Sequence, residues 1–131
     1  MAKTLARTYN CPTEFALNVL GGKWKTVILA YLKERPCSYG DLRRLVPKLT
    51  DKMLTERLSD LTKSGLVKKE ANPRKRNSEV YILTARGTSL MPVLAELYAW
   101  GVTHATSFGV VVGEPLAKLR QGEAVKRTEV V

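Results

Sequence analysis

The chain has 131 residues, 44% of them hydrophobic, which is enough to build the core of one folded domain. Its two cysteines are too few for the disulfide framework of a small secreted protein. The first residues contain no apolar run typical of a signal peptide, and no stretch approaches the roughly 18 apolar residues of a membrane-spanning helix. We therefore expect a cytoplasmic protein with reduced thiols and no membrane association.

The net charge of +10 is concentrated in the middle of the chain. From Arg43 to Arg76 there are 11 basic and four acidic residues, so this quarter carries +7 of the total. Such a surplus attracts a polyanion, either nucleic acid or an anionic membrane surface. Because many basic soluble proteins bind neither, the placement of these charges matters more than their number.

Three short helices are predicted before residue 48. Apolar residues at helical spacing predict the first helix over residues 13–20, where Gly21 and Gly22 stop it. The second is predicted over residues 23–34 and ends before Pro36, because its apolar residues recur at i, i+3, i+4, i+7 and i+8. A short extended piece over residues 37–39 leads to the third, predicted over residues 40–46 and closed by Pro47.

A fourth helix and a hairpin follow. Thr50 is a good N-cap for a helix that ends near Gly65, the expected left-handed C-terminal residue. The apolar and β-branched residues 66–70 and 79–83 predict two strands around a basic turn, and Thr84 is expected to cap one long final helix. The prediction is a mainly α fold with a small β-hairpin, a winged helix-turn-helix, over residues 11–112. Residues 1–10 are interpreted as an N-terminal arm and residues 113–131 as a loosely held C-terminal tail.

The fourth helix has the pattern of a DNA recognition helix. Leu54, Leu58 and Leu61 cluster on one side. The opposite side and its flank carry polar groups that suit phosphates and base edges in a major groove: Lys52, Thr55, Glu56 and Ser59. A solvated helix face has the same composition, so this helix alone does not distinguish the two interpretations.

The predicted hairpin tip concentrates three cations, Arg74, Lys75 and Arg76. They repel one another unless a polyanion is near, which favours contact with the flanking DNA backbone or minor groove over a merely solvated loop. Further contacts to phosphates are expected from cations around the helix pair, namely Lys23, Arg43, Arg44 and Lys63.

The sequence resembles the HxlR-type regulators, bacterial winged-helix proteins similar to the MarR group. The resemblance spans about Cys11 to Gly101 and rests on motifs that include Gly21-Gly22-Lys23-Trp24, Lys52-Met53-Leu54-Thr55 and Ser64-Gly65-Leu66-Val67. It implies a homodimeric transcription factor, usually a repressor, that binds double-stranded DNA at pseudo-palindromic operators. It also implies that the N-terminal segment and the last helix form the dimer interface, with these candidates on that helix: Leu90, Val93, Leu94, Leu97, Tyr98 and Trp100.

Two cysteines raise the question of redox sensing. Cys11 precedes Pro12 near a helix N-terminus, where the helix dipole would lower the thiol pKa, with Lys3 and Arg7 as further contributors. Several HxlR-type regulators sense oxidants or electrophiles through a cysteine at the matching position; an inert, partly buried residue is the alternative. Cys37 is interpreted as a core residue, with pairing to Cys11 as the other possibility.

Enzymatic activity is not expected. The chain has a single histidine, His104, and no nucleophile motif, no glycine-rich phosphate loop and no metal-ligand spacing. We therefore predict no cofactor and no metal. The alternatives to a redox-responsive DNA-binding regulator are a winged-helix adaptor that docks an acidic protein, a regulator that senses a small hydrophobic effector, and, less favoured, a redox or small-molecule-modifying enzyme.

Overall fold

A computed structural model describes residues 5–113 of the chain. The elements follow in the order α1 (Pro12–Leu20), α2 (Lys25–Glu34), α3 (Tyr39–Leu45), α4 (Asp51–Lys63), β1 (Val67–Ala71), β2 (Glu79–Leu83), α5 (Ala85–Ser89) and α6 (Met91–His104), before a single 3-10 turn, Thr106–Phe108. The predicted fold class, mainly helical with one hairpin, is confirmed.

The described chain forms two compact units, one ending at Ser89 and one beginning at Leu90. Only residues 5–10 of the predicted arm and Gly113 of the predicted tail belong to the described part. None of the helices within residues 5–113 combines the length and apolar character that crossing a bilayer requires.

The helix α4 is built as its sequence indicates. The Thr50 hydroxyl accepts a hydrogen bond from the Met53 N–H at 3.1 Å, which satisfies one of the donors left open in the first turn. Gly65, with φ +75°, ends the helix in the left-handed conformation. Leu54, Leu58 and Leu61 are buried, so one side of α4 belongs to the core of the first unit.

The turn between α1 and α2 differs from its prediction. The second helix begins at Lys25 and not at residue 23, because Gly22 (φ +118°) and Trp24 (φ +81°) both adopt left-handed backbone conformations. Glycine accepts such a conformation without strain, whereas tryptophan does so only where its surroundings hold it. The predicted start was therefore wrong by two residues.

The helix α3 begins one residue earlier than predicted, at Tyr39. Ser38 caps it through a reciprocal pair, in which the Ser38 hydroxyl accepts from the Asp41 N–H at 3.0 Å and the Ser38 N–H donates to the Asp41 carboxylate at 2.9 Å. Just before it, Cys37 forms an isolated bridge with Tyr81, so the short extended piece reaches the hairpin through two main-chain hydrogen bonds of 3.2 and 2.7 Å.

The two strands pair antiparallel, with Val67 opposite Leu83 and Ala71 opposite Glu79. At the far end, the Asn72 N–H donates to the Ser78 carbonyl at 2.9 Å and closes the tip. At the near end α5 packs very closely, because a Cβ atom added to Gly87 would lie 2.2 Å from the Leu66 carbonyl oxygen.

The predicted long final helix is divided in two. Thr84 does act as a cap, since its hydroxyl accepts from the Gly87 N–H at 3.1 Å, but it caps only the five residues of α5. Pro92, in the first turn of α6, lacks an N–H group, and its ring would clash with the carbonyl of Thr88 in a continuous helix. The chain therefore breaks before Met91 and starts a new helix.

Candidate nucleic-acid interface

The outer side of α4 is open to solvent. Lys52 and Thr55 are exposed and Glu56 and Ser59 are half-buried, whereas Leu54 and Leu58 are buried on the other side of the same helix. Lys63, in the last turn, is also exposed. The four side chains predicted to read bases thus lie on one accessible face of α4, a helix of 13 residues.

Two arginines on α3 are engaged with acids. Arg43 Nε lies 2.8 Å from Asp51 Oδ1, and its guanidinium also donates to the Leu49 carbonyl. Arg44 pairs with Asp41. To bind phosphate, each arginine must therefore leave its carboxylate or contact the carboxylate and the phosphate together. The sequence alone did not indicate these ion pairs.

The pKa of the Asp41 carboxyl is held below its ordinary value. Burial raises its pKa, but the hydrogen bonds from Ser38 and the charge of Arg44 outweigh this and hold the pKa below the ordinary value. The negative charge that neutralises Arg44 is therefore present throughout the neutral range.

The hairpin tip exposes its three cations. Arg74, Lys75 and Arg76 are all exposed, and among the described residues no carboxylate is paired with them. The tip itself is ordered, because the Arg74 N–H donates to the Asn72 side chain at 2.9 Å and Asn77 takes a left-handed conformation (φ +58°). A well-formed turn therefore presents three adjacent positive charges.

Lys23 lies in the turn before α2 and contacts α4 through its main-chain carbonyl. Its ammonium group lies 5.2 Å from the centre of the Trp24 ring, and its carbonyl accepts a hydrogen bond of 2.8 Å from Arg57 Nε. Arg57 is also 3.8 Å from the buried Asp60. Sequence reasoning missed Arg57 and Tyr39, whose contacts join residues far apart in the chain.

Cys11 is the exposed N-cap residue of α1. Its side chain makes no capping hydrogen bond, yet the nearby N–H groups of Glu14 and then Thr13 stabilise the thiolate and lower the thiol pKa. Lys3, expected to contribute, lies outside the described residues. More thiolate at neutral pH means faster attack on electrophiles.

Cys37 has the opposite environment. It is fully buried, its Sγ lies 3.5 Å from the Arg35 carbonyl, and burial raises the pKa of its thiol to about 11. This thiol stays protonated at neutral pH and is inaccessible in the folded chain, as a core residue should be.

The second unit exposes apolar side chains along α6 and beyond. Leu97 is 46% and Trp100 58% exposed, and the Trp100 ring contacts Phe108, itself 70% exposed. A shallow, mostly apolar groove on this unit is lined by Val93, Glu96, Leu97, Ala99, Trp100, Thr103 and His104. Of the other predicted interface residues, Leu90, Leu94 and Tyr98 are half-buried.

A helix pair joined by a tight turn, followed by a basic hairpin, defines a winged helix-turn-helix DNA-binding protein. Comparison with known proteins agrees. Residues 19–107 match the family described as HxlR-like helix-turn-helix. An HTH-type transcriptional regulator of Methanothermobacter thermautotrophicus is 40% identical over 98 residues, which are 75% of each chain.

Two similar proteins of known structure are a redox regulator and a protein treated with diamide. The redox regulator HypR in its reduced form has a TM-score of 0.70 and 30% identity, covering 76% of this chain and 98% of that one. The diamide-treated YodB from Bacillus subtilis has a TM-score of 0.60 and 31% identity, covering 73% and 96%. The chain belongs to the HxlR family and is a DNA-binding transcriptional regulator and not an enzyme.

Proposed function

We propose that this protein is a dimeric repressor that binds a pseudo-palindromic operator and releases it when Cys11 reacts with an oxidant or electrophile. The observation that carries the DNA-binding part is the accessible polar face of α4, which lies opposite leucines buried in the core. A helix of this kind fits a major groove about 12 Å wide.

The proposed contacts fall into two groups. Lys52, Thr55, Glu56 and Ser59 face base edges, where lysine suits guanine or phosphate and glutamate accepts from a cytosine amino group. The phosphates are bound by the exposed cations around α4 and at the hairpin tip, and by the α3 arginines once they share their acids with the DNA backbone: Lys23, Arg43, Arg44, Lys63, Arg74, Lys75 and Arg76.

The exposed apolar side chains of α6 and of the 3-10 turn after it support a homodimer. Aromatic and aliphatic groups such as Leu97, Trp100 and Phe108 are unfavourable in water, and burying them against a second copy removes that cost. Val93 belongs to the same groove, and Leu90 before α6 and Leu94 and Tyr98 on α6 are half-buried. Dimers of this class bind two half-sites about one turn of DNA apart, roughly 10 base pairs.

The sensing part rests on the different environments of the two thiols. With a quinone, the Cys11 thiolate forms a carbon–sulfur bond to the ring, and the adduct takes up one proton to become the substituted hydroquinone. HypR is a redox regulator and the YodB structure is of diamide-treated protein, and both similarities support thiol chemistry of this kind at Cys11. Cys37 is buried and protonated, so we assign it no part in the reaction.

A small hydrophobic effector is the second candidate signal. The apolar groove on α6 favours it, because the Trp100 and His104 rings lie 4.5 Å apart there and offer a stacking surface. In a dimer formed through α6, such an effector would compete with, or bind between, the two helices.

Selection of bound duplexes from a random pool, with and without a quinone, tests the proposal. We expect an enriched two-fold sequence with half-sites about 10 base pairs apart, bound by the reduced protein and released by the treated one. The Cys11→Ser protein should bind the same sequence, and treatment with quinone should not change its operator binding. Equal binding to heparin and to every duplex would instead support the adaptor, and release of the Cys11→Ser protein by quinone would support an effector site.

A further inference from the structure

Four oxygen atoms lie close together at the exposed beginning of α4. Tyr39, the first residue of α3, places its hydroxyl oxygen 3.0 Å from Asp51 Oδ1 and 3.2 Å from the Asp51 carbonyl oxygen. The same hydroxyl lies 3.4 Å from Thr55 Oγ1, one turn further along α4. Tyr39 thus connects the first helix of the pair to a residue on the proposed base-reading face.

The protons in this cluster follow from which groups are able to donate. Asp51 offers only acceptors, because its carboxylate is ion-paired with Arg43 at 2.8 Å and its carbonyl oxygen has no proton. The single proton of the Tyr39 hydroxyl is therefore directed to Asp51. The hydrogen bond between Tyr39 and Thr55 must then use the proton of Thr55, which leaves Thr55 Oγ1 with lone pairs only.

An acceptor-only threonine reads bases differently from a free one. A free hydroxyl both donates and accepts, so it tolerates any base edge. In the major groove the donors are the N6 amino group of adenine and the N4 amino group of cytosine, whereas guanine and thymine present acceptors at the corresponding positions. In the major groove every base pair presents one amino group, so the choice concerns which strand carries it.

We propose that Tyr39 is a specificity-determining positioning residue, which fixes the Thr55 hydroxyl as an acceptor and makes it select adenine or cytosine on the contacted strand. This inference rests on the proposed entry of α4 into the major groove. It adds a residue on α3 that shapes base choice by orienting a neighbour, without contacting a base itself.

The test compares binding profiles of variants on duplexes carrying all four bases at each operator position. Thr55→Val, which keeps the shape and removes the hydroxyl, identifies the base pair that Thr55 contacts. At that pair we expect the wild type to prefer adenine or cytosine over guanine or thymine by roughly two- to tenfold, the range of one net hydrogen bond. Tyr39→Phe should bring this ratio close to one while it keeps the ring and leaves the other positions unchanged.

Tyr81→Phe is the matched control, because it removes a tyrosine hydroxyl from the hairpin strand β2, and its profile should equal that of the wild type. A preference for guanine or thymine at the Thr55 position would overturn the inference. So would a Tyr39→Phe protein that keeps the wild-type ratio, or one that loses affinity equally for all sequences, since that would make Tyr39 a phosphate contact. A wild type without any sequence preference would overturn the proposed function together with the inference.

Discussion

The Nε atom of Arg57 donates a hydrogen bond of 2.8 Å to the main-chain carbonyl of Lys23, 34 positions earlier in the chain. This bond ties α4 to the left-handed turn that follows α1. Because Cys11 caps the other end of α1, the hydrogen bond offers a short physical route from a modified thiol to the proposed recognition helix.

Replacing Arg57 by alanine should interrupt that route. We expect the free energy of unfolding to fall by about 1.5–3 kcal/mol, the usual cost of losing a hydrogen bond that involves a charged group, and the buried Asp60 also loses a neighbouring cation. We also expect the quinone-treated variant to retain more operator binding than treated wild type, measured by fluorescence anisotropy. Arg86→Ala is the control, because Arg86 donates a similar bond of 3.0 Å to the Ser64 carbonyl. If treated Arg57→Ala releases DNA as fully as wild type, the coupling follows another path.

The two thiols should differ in reactivity. In the folded protein at pH 7, iodoacetamide is expected to modify Cys11 and spare the buried Cys37, so mass spectrometry finds one added group, and two after denaturation. Because the pKa of Cys11 is lowered, its reaction rate should reach half-maximum at a lower pH than that of an ordinary cysteine peptide. Equal modification of both thiols in the native state would contradict this.

The buried Cys37 should make stability depend on pH above neutrality. Its pKa is about 11 in the folded chain and 9.0 in an ordinary environment, so the unfolded chain loses the proton first. The contribution to stability is complete below pH 9 and is lost as the pH rises towards 11, by up to about 2–3 kcal/mol. Urea unfolding of wild type and Cys37→Ala between pH 8 and 11 measures this, and the alanine variant should have the flatter profile. Parallel profiles would show that Cys37 is not the source.

The hairpin tip should account for much of the salt dependence of DNA binding. Each lost phosphate contact lowers the slope of log affinity against log salt by about 0.9, so Arg74→Ala with Arg76→Ala should lower it by about 3.6 in a dimer with two tips. Affinity should fall alike for all sequences. Lys33→Ala, which removes an exposed cation from α2, should leave the slope unchanged. An unchanged slope in the double variant would exclude the tip from the interface.

Dimerisation through α6 should be sensitive to a charge on its apolar side. Leu97→Asp places a carboxylate among exposed apolar groups, so it should yield a folded monomer in sedimentation experiments, because Leu97 is half-exposed in the single chain. Ala95→Asp, on an exposed part of α6 outside the apolar groove, should remain dimeric. A dimeric Leu97→Asp protein would show that the dimer interface does not include this side of α6.

Local signals in the sequence predicted most of the first unit. Thr50, Gly65 and the apolar and β-branched strand residues act through neighbours a few positions away, so their effects are visible in the sequence itself. The prediction of one long final helix was wrong because apolar residues continue across Leu90 and mask the break that Pro92 imposes. The start of α2 was wrong because Trp24, a residue with no preference for such a turn, adopts a positive φ.

Contacts between residues far apart in the chain could not be predicted from the sequence at the candidate site. Asp51 lies in the first turn of α4, but nothing in the sequence indicated that Arg43 and Tyr39 would both bind it. The same holds for Arg57 and Lys23. Such contacts depend on how α3 and the α1–α2 turn meet α4 in space, which helix periodicity does not contain.

The acids beside the α3 arginines have a consequence for the order of events on DNA. Asp41 and Asp51 already compensate Arg44 and Arg43 in the free protein, whereas the described part of the chain provides no acid for the hairpin tip. An approaching duplex in the proposed complex would therefore be captured first by the tip. The helix pair would bind afterwards, once the correct sequence allows the arginines to move from carboxylate to phosphate. Non-specific and sequence-specific binding would then depend on different parts of one small protein.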